Sequence, residues 1–323
     1  PISRRTRASA TRDGAPQVSE ASRRVWVLNL DAETELATRG PYTRSAHLAR
    51  ILRRQEQALA TSLVPEGDLL LTEDNRAQLE ASGEAAGLEG VAWCPTPSAR
   101  RALEAVGARP PAGAEASSLT AVNQRPFATE VRRSLGAHAL EKDTAVTLED
   151  ALTLLARPAE LGWLVRRTFG AAGRGRRRIA AGRPAPDELS WLRASLREGP
   201  LTVEPWVKVV TEFTRSGYVT DTGLVVLAPP TLQRTTAEGA WVASELAEAD
   251  AVTAAHDEAL QGALEAAGRA LAEAGHHGAF GIDAFLHRWK GSVELNPLSE
   301  INARYTMDWA LSFGQRARPD LQP

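Results

Sequence analysis

A glycine-rich stretch among arginines is the first segment whose residue types could do chemistry. Gly170, Gly173 and Gly175 follow a predicted strand at residues 163–166. Glycines let backbone amides approach an anion and arginines neutralise its charge, so the stretch is suited to bind a polyphosphate. Its spacing is neither that of a P-loop nor that of a dinucleotide fingerprint. A hairpin turn with solvated arginines and an RNA-binding arginine loop remain alternative interpretations.

A set of oxygen-bearing side chains near the C-terminal end could hold a metal ion. Residues two apart in a strand project to the same face, so Glu294 and Asn296 can share a cation that Asp283 reaches from an adjacent strand. Hard oxygen ligands suit Mg²⁺, which takes one or two carboxylates plus substrate phosphates. A competing register would use Glu300 and Asn302 as the pair. A polar edge strand with solvated carboxylates is the interpretation without a metal.

A third segment could form the wall of a nucleotide pocket. A strand that ends in Glu204 and continues to Trp206 and Val207 can supply a carboxylate, backbone hydrogen-bonding groups and an aromatic surface for a purine. Glu212 could then accept a hydrogen bond from a ribose hydroxyl. Taken alone, this segment does not specify a function.

The elements that position these groups begin with an α/β region. Hydrophobic periodicity predicts a strand at residues 25–30, a helix at 45–61, strands at 68–72 and 91–94, and a helix at 98–106. This order predicts a small α/β layer structure over residues 25–118. The arginine-rich residues 1–24 before it have no apolar period and are interpreted as a tail or extended arm.

The second part of the chain follows a linker rich in Pro, Gly, Ala and Ser at residues 110–118. The predicted elements are a helix that begins at 147–150, a strand at 163–166, a helix at 187–198, strands at 201–203 and 218–227, a helix at 256–274, and a strand pair at 279–286 and 292–295. The glycine-rich stretch therefore follows a strand, and the oxygen-bearing side chains lie on a hairpin.

The composition limits the class of protein. With 38 basic and 40 acidic residues the formal charge is −2, so no overall field recruits nucleic acid or an anionic membrane. Cys94 is the single cysteine, which excludes an internal disulfide and a multi-cysteine zinc site and favours a cytoplasmic location. No apolar run approaches the roughly 18 to 20 residues of a membrane helix.

The three groups occur in one order along the chain, and in that order residues 120–310 resemble the ATP-grasp superfamily. In this family a basic residue and a glycine-rich loop cover the phosphates, a hinge strand binds adenine, and an Asp…Glu-x-Asn set holds magnesium. The hinge and metal segments are similar to those of the D-alanine–D-alanine ligase branch. The resemblance implies a three-lobed α/β architecture with an N-terminal α/β substrate lobe at 25–118, a lid lobe at 119–207 and a C-terminal antiparallel-sheet lobe at 208–323.

The resemblance also implies roles for individual residues. The residues it assigns to ATP are Arg166, Gly170, Gly173, Gly175, Glu204, Trp206, Val207 and Glu212. Arg132 or Arg133 fits the first phosphate-binding residue best, with Lys142 and Arg125 as rivals. It assigns Mg²⁺ to Asp283, Glu294 and Asn296, and the pair Glu300 and Asn302 stays an alternative.

Two departures from the family pattern concern catalysis. Arg166 stands where the family has a lysine, which keeps the charge but replaces a point charge by a planar fork. Gly281 stands two residues before the metal Asp, where the D-alanine ligases carry a catalytic arginine, so Arg304 is the substitute candidate.

The activity that the resemblance implies is an ATP- and Mg²⁺-dependent ligase that joins a carboxylate to an amine through an acyl phosphate. The expected partners are small molecules such as an amino acid or peptide and a second copy of the chain. Membrane and nucleic acid are not expected. An ATP-grasp kinase and a non-catalytic nucleotide- or nucleic-acid-binding scaffold are the alternatives, and the three converging oxygen ligands argue against the scaffold.

Overall fold

The computed structural model describes residues 23–111, 113–136, 142–170, 174–236, 241–247, 251–316 and 318–319. These residues form a three-stranded, a four-stranded and a five-stranded sheet. Each sheet has helices packed against it, which gives the chain an N-terminal lobe, a lid lobe and a C-terminal lobe. No helix among the described residues is long and apolar enough to cross a membrane.

The N-terminal lobe is a parallel α/β layer. Its elements are β1 (Arg24–Val27), α1 (Ala32–Ala37), α2 (Ala46–Leu63), β2 (Leu69–Leu70), α3 (Arg76–Ser82), β3 (Glu89–Ala92) and α4 (Pro97–Ala105). The strands are parallel in the order β2-β1-β3. The hydroxyls of Ser45 and Thr96 begin α2 and α4 by accepting from backbone amides, as side-chain caps do. The first strand begins one residue before the predicted position, and residues 1–22 of the predicted tail lie outside the described residues.

Two helices that the sequence patterns did not predict connect this lobe to the next. They are α5 (Ala116–Val122) and α6 (Arg125–Ser134). Val122, Ala128 and Val131 on these helices share a hydrophobic core with Ile301 of the C-terminal lobe. Residues 122–131 thus contact the C-terminal lobe, within the range predicted for the lid lobe, and the predicted boundary at residue 119 stays a prediction.

The lid lobe is an antiparallel sheet covered on one face by helices. It contains β4 (Asp143–Ala145), α7 (Leu148–Leu155), β5 (Trp163–Arg167), β6 (Arg176–Ile179), α8 (Pro186–Glu198) and β7 (Leu201–Pro205), with the strands in the order β4-β7-β5-β6. Trp163, Val165 and Val203 are buried in the core with the helices. Because side chains alternate along a strand, Arg166 and Glu204 lie on the other face.

The C-terminal lobe is a five-stranded antiparallel sheet with one long helix on its back. Its elements are β8 (Lys208–Val219), β9 (Val225–Thr235), β10 (Trp241–Leu246), α9 (Ala254–Glu273), β11 (Gly278–Trp289), β12 (Ser292–Asn302) and α10 (Trp309–Phe313), and the strand order is β10-β9-β8-β11-β12. Helix α9 buries Leu264 and Leu271 against Phe280 and Ile282. The opposite face of this sheet, which we call the cleft face, carries Asp283.

One predicted element of the C-terminal lobe is wrong. The strand predicted at 218–227 is interrupted by a turn, in which Gly223 has a φ of 80° and reverses the chain between β8 and β9. In the lid lobe, the glycine-rich stretch connects the antiparallel strands β5 and β6, as the alternative interpretation of a hairpin turn expects, and the arginine run at 176–178 forms β6 itself. Alternation along a strand sends successive arginines to opposite faces of the lid sheet.

Aromatic side chains join the N-terminal lobe to the C-terminal lobe. Trp26 of β1 and Trp309 of α10 both contact Tyr305, with ring centroids 5.7 and 4.8 Å from it. Tyr218 of β8 lies in the same buried cluster. Large aromatic rings bury much apolar area at fixed geometry, so this cluster fixes the edge of the N-terminal lobe on the cleft face.

Candidate functional site

The cleft face of the C-terminal sheet carries three rows of cross-strand neighbours. The first row is Thr214, Asp283 and Glu300, the second is Glu212, Phe285 and Asn296, and the third is Val209, His287 and Glu294. Rows two residues apart along a strand are about 7 Å apart. The candidate site is built around the first row, where the lid lobe reaches the sheet.

Two carboxylates lie opposite each other in the first row. Asp283 of β11 pairs with Glu300 of β12. Its carboxylate accepts from Thr214 Oγ1 and from Asn302 Nδ2, each at 3.1 Å. Burial and the negative charge of Glu300 raise the pKa of Asp283 to about 7. The hydrogen bonds and the positive charge of Arg304 oppose this shift without outweighing it, so the pair is only partly neutralised at Asp283.

The structure does not bring the Glu294 and Asn296 pair to Asp283. Glu294 lies opposite His287, four residues along β11, which is about 13 Å away. Its carboxylate accepts from Ser292 Oγ at 3.0 Å. The first-choice metal set is therefore not assembled, whereas Glu300 and Asn302 of the competing register lie beside Asp283.

A bulge in β12 explains this register. Three residues, 297–299, lie between the partners of Asp283 and Phe285, whereas β11 has one residue there. Pro297 has no amide hydrogen to donate to the ladder, and proline is tolerated in sheets at such irregular positions. The bulge turns Glu300 toward the lid lobe.

Two arginines from different elements bind the Glu300 carboxylate. Arg125 Nη2 lies 3.0 Å from Oε1 and Arg166 Nη1 lies 3.6 Å from Oε2. Burial alone would raise the pKa of Glu300, but these two guanidinium groups outweigh it, so the pKa is lowered. Arg166 also lies 2.8 Å from Glu204 Oε1, which links β5 to β7.

Of the four candidates for the first phosphate-binding residue, Arg125 lies against the glycine-rich stretch, and phosphate binding stays a prediction. Arg125 donates to the backbone oxygens of Arg167 at 2.8 Å and Gly170 at 2.7 Å, so it lies against the glycine-rich stretch. Arg133 is exposed and forms ion pairs with Glu130 and Asp143, outside the cleft. Arg132 is buried, and this burial lowers its pKa, with Glu204 the charge that opposes the shift.

Lys142 is a further buried cation at this site. Its Nζ donates to the backbone oxygen of Ser299 in the β12 bulge at 2.6 Å. Burial lowers the pKa of Lys142 to about 8, although Glu204 opposes the shift. Lys142 thereby ties the start of the lid lobe to the strand that carries Glu300.

The surroundings and backbone conformation of Gly170 and Gly175 explain why glycine occupies these positions. A Cβ on Gly170 would lie 2.4 Å from the backbone oxygen of Arg174, and Gly175 has a φ of 72°. Both positions favour glycine, because the first has no space for a side chain and the second is left-handed. Gly173 lies outside the described residues, and phosphate binding by the stretch stays a prediction.

The hinge residues lie between β7 and β8. Glu204 is 1% exposed. Burial opposes its charge, but Arg166 and Lys142 outweigh this and lower its pKa. The Trp206 amide donates to Gly162 O at 2.8 Å, and the Trp206 ring lies 5.4 Å from the Arg178 guanidinium. The backbone amide of Trp206 is therefore already used within the lid.

Val207 and Glu212 complete the hinge group. Val207 is half-buried and directly precedes β8. Glu212 lies on the cleft face and accepts a hydrogen bond from Thr235. It lies beside Phe285 in the second row, and its contact with a nucleotide stays a prediction.

Arg304 lies where the cleft meets the N-terminal lobe. Its Nη2 donates to Glu33 Oε1 at 2.6 Å, and its guanidinium lies 5.6 Å from the Trp93 ring centroid. Burial disfavours its charge, but Glu33 outweighs this and the pKa of Arg304 is raised. Asp283 lies within electrostatic reach of the same guanidinium.

A partly open cavity lies beside Arg304 between β3 and the start of β11. Its polar and aromatic lining includes Glu89, Trp93, Tyr218, His276, Arg304 and Arg318. Arg318 is held by Glu89 at 2.8 Å. Burial lowers the pKa of His276 to about 4, so this ring is neutral at pH 7.

The side chains around Asp283 include one set that could hold a metal ion. Across the described part of the chain, no group of three or more His, Cys, Asp or Glu side chains is placed to hold a metal ion. Asp283, Glu300 and Asn302 form a set of two carboxylates and one amide. This donor set suits a hard cation that completes its coordination with phosphate and water oxygens.

Comparisons with known proteins reveal similarity in structure alone. No protein-family model matches the sequence, and neither does any curated protein. A D-alanine–D-alanine ligase from Bacillus anthracis is 15% identical, with 92% of this chain and 91% of that chain covered and a TM-score of 0.50. Its complex with ATP is 14% identical, with 88% and 87% covered and a TM-score of 0.49. A carboxyaminoimidazole ribonucleotide synthase from Aspergillus clavatus, in complex with ATP, is 18% identical, with 88% and 71% covered and a TM-score of 0.48. At such identities the likeness concerns the fold.

Proposed function

We propose that this chain, which has the ATP-grasp fold, is an ATP- and Mg²⁺-dependent ligase that joins a carboxylate to an amine. The observation that carries the proposal is the contact of Arg125 and Arg166 with the two oxygens of Glu300, directly beside Asp283. Cations from the lid side and carboxylates from the sheet meet there at one point. This is the charge arrangement that a metal-bound polyphosphate needs.

The residues present fit a magnesium ion. Asp283 and Glu300 lie opposite each other on adjacent strands, and burial together with the charge of Glu300 raises the pKa of Asp283. A divalent cation between them would oppose this shift, and Asn302 offers a third oxygen. When bound there, Mg²⁺ would neutralise charge on the phosphate oxygens during transfer.

The same residues fit a triphosphate. Arg125 and Arg166 approach from α6 and β5, and planar guanidinium groups bind phosphate oxygens with two parallel hydrogen bonds. In the described structure they contact Glu300, so a triphosphate would take over contacts that the carboxylate makes. The glycine-rich stretch next to Arg125 would then lie over the phosphates.

The reaction that this site would support has two displacement steps. A substrate carboxylate oxygen attacks the γ-phosphorus of ATP, the bond to the β,γ-bridging oxygen breaks, and ADP leaves. An amine then attacks the carbonyl carbon of the acyl phosphate, inorganic phosphate leaves, and the nitrogen loses a proton. Arg304, close to Asp283, would neutralise the developing negative charge, and the cleft would align the reacting atoms.

We place the non-nucleotide substrate in the cavity beside Arg304. Arg304 lines this cavity and also lies within electrostatic reach of Asp283, so a carboxylate bound to it would be near the phosphate end of the site. The aromatic rings of Trp93 and Tyr218 offer apolar surface for the rest of the molecule. An amino acid or a short peptide matches this combination of charge and apolar wall.

Calorimetric titration of ATP, with and without Mg²⁺, tests the proposal. We expect Mg²⁺-dependent binding to the wild type that Glu300→Gln weakens, followed by phosphate release in a screen of amino acids and peptides. Binding of ATP with a stable phosphorylated product and no need for an amine would point to a kinase instead. Absence of nucleotide binding under all conditions would overturn the proposal.

A further inference from the structure

Asn296 is buried without the hydrogen bonds that its amide needs. It is 0% exposed, and neither its amide oxygen nor its amide nitrogen has a partner among the described residues. Buried side-chain amides in folded proteins are nearly always hydrogen-bonded, because an unmade bond costs the full desolvation of the group. A donor and an acceptor left open on one side chain indicate a ligand that supplies both.

His287 is a second fully buried polar side chain and lies next to Asn296. It is also 0% exposed, and its ring is within reach of the Glu294 backbone, at a geometry too poor for a good hydrogen bond within the described part of the chain. Its ring meets the Phe285 ring edge-on at 5.6 Å. Burial lowers the pKa of His287 and Arg132 adds to the shift, whereas Glu294 opposes it. The ring is therefore neutral near pH 7, with one donor and one acceptor nitrogen.

The two residues lie on the cleft face, beyond the carboxylate row. Asn296 is opposite Phe285 in the second row, and His287 is in the third. The second row also carries Glu212, and the hinge at residues 204–207 leads directly into β8 near the third row. A nucleotide with its phosphates at Asp283 and Glu300 would extend along these rows and place its base over the second and third.

We propose that Asn296, assisted by His287, reads the edge of the nucleobase and makes this site selective for adenine. The inference rests on the proposed nucleotide site. A carboxamide presents one acceptor and one donor side by side, which matches the 6-amino group and N7 of adenine. Guanine presents two acceptors, O6 and N7, on that edge, so one atom of the amide would face a like group. The neutral ring of His287 adds a hydrogen bond to the base or ribose.

Nucleotide titrations into the full chain test this assignment. For the wild type with Mg²⁺ we expect ATP to bind roughly 10- to 100-fold more tightly than GTP, the discrimination of one bidentate contact. 7-Deaza-ATP, which lacks only the N7 acceptor, should bind more weakly than ATP. Asn296→Leu should abolish both differences, whereas binding of inorganic tripolyphosphate, which has no base, should not change.

A matched variant and a stability measurement separate the explanations. Leucine has a similar volume and removes two unpartnered polar atoms, so Asn296→Leu should not lower the thermal unfolding midpoint. Gln261→Leu, on an exposed position of α9, is the control and should leave all affinities unchanged. His287→Phe should reduce ATP affinity with the same fold.

The outcomes distinguish this inference from the proposed function. Tight but equal binding of ATP and GTP by the wild type, or an unchanged ATP preference in Asn296→Leu, would overturn base reading and leave the ligase proposal intact. Absence of nucleotide and tripolyphosphate binding by the wild type would overturn both. Loss of the ATP preference with unchanged tripolyphosphate binding would establish Asn296 as the specificity residue.

Discussion

Asp283 and Glu300 face each other across β11 and β12, and a pair of arginines from α6 and β5 contacts only the second of them. The two carboxylates therefore differ. The guanidinium groups lower the pKa of Glu300, while burial and Glu300 raise that of Asp283 to about 7. The arginines neutralise the charge of Glu300 but do not contact Asp283, so a cation bound at Asp283 would be stabilised. This is the physical basis of the proposed metal position.

The duplicated Glu-x-Asn pattern provides a matched test of that position. Glu300→Gln removes the carboxylate opposite Asp283, whereas Glu294→Gln makes the same chemical change about 13 Å away. We expect Glu300→Gln to weaken Mg²⁺-dependent ATP binding at least about tenfold, because the neutral amide replaces a charged carboxylate ligand of the metal ion. Glu294→Gln should bind as the wild type does. Calorimetry with both variants decides between the registers, and the opposite result would restore the Glu294 set.

Arg125 and Arg133 provide a second matched pair, on one helix. Arg125 contacts Glu300 and the glycine-rich stretch, whereas Arg133 forms exposed ion pairs outside the cleft. We expect Arg125→Lys to weaken ATP binding, because a lysine keeps the charge but loses the fork that makes several contacts at once. Arg133→Lys should have no measurable effect on affinity or unfolding. Equal behaviour of the two variants in nucleotide titrations would remove Arg125 from the site.

The sequence predicted which segments build the cleft but not which residues of each segment enter it. Strand alternation and the order of motifs predicted the strands that carry Arg166, Glu204 and Asp283, and the three-lobed α/β fold is shared with a D-alanine–D-alanine ligase. The two Glu-x-Asn segments are six residues apart, an even number, so periodicity puts both on the same face. The bulge at residues 297–299 decides between them, and it depends on tertiary contacts such as that of Lys142 with Ser299.

The missed helix α6 has a similar cause. Because the segment contains several arginines and Pro126, its local sequence does not predict a helix. The helix is stabilised by packing on the C-terminal lobe, through Ala128 and Val131. Proline is tolerated there because it occupies the first turn. Without that helix, Arg125 could be identified only as one of several basic residues near the right place in the chain.

His276 predicts a pH dependence of stability. Burial lowers its pKa to about 4 from the ordinary value of 6.5, so the unfolded chain binds this proton more readily than the folded chain does. The corresponding stability is complete above pH 6.5 and is lost as the pH falls toward 4, by about 3 kcal/mol for a shift of this size. Urea unfolding between pH 4 and 7 should show a shallower loss for His276→Gln than for the wild type. If the free energy of unfolding depended on pH in the same way in His276→Gln and the wild type, burial of a neutral His276 ring would be contradicted.

Two glycines of α9 should respond oppositely to the same substitution. A Cβ on Gly268 would lie 2.6 Å from Val225 Cγ1 and 3.1 Å from Phe280 Cζ, so Gly268→Ala must push the helix off the sheet and should cost about 1–3 kcal/mol. Nothing lies within 4 Å of such a Cβ at Gly262. There the substitution removes only the helix penalty of glycine, so Gly262→Ala should stabilise the protein by up to about 1 kcal/mol. Urea unfolding of the two variants measures both signs, and destabilisation by Gly262→Ala would contradict the packing of α9 on the back of the sheet that carries Asp283.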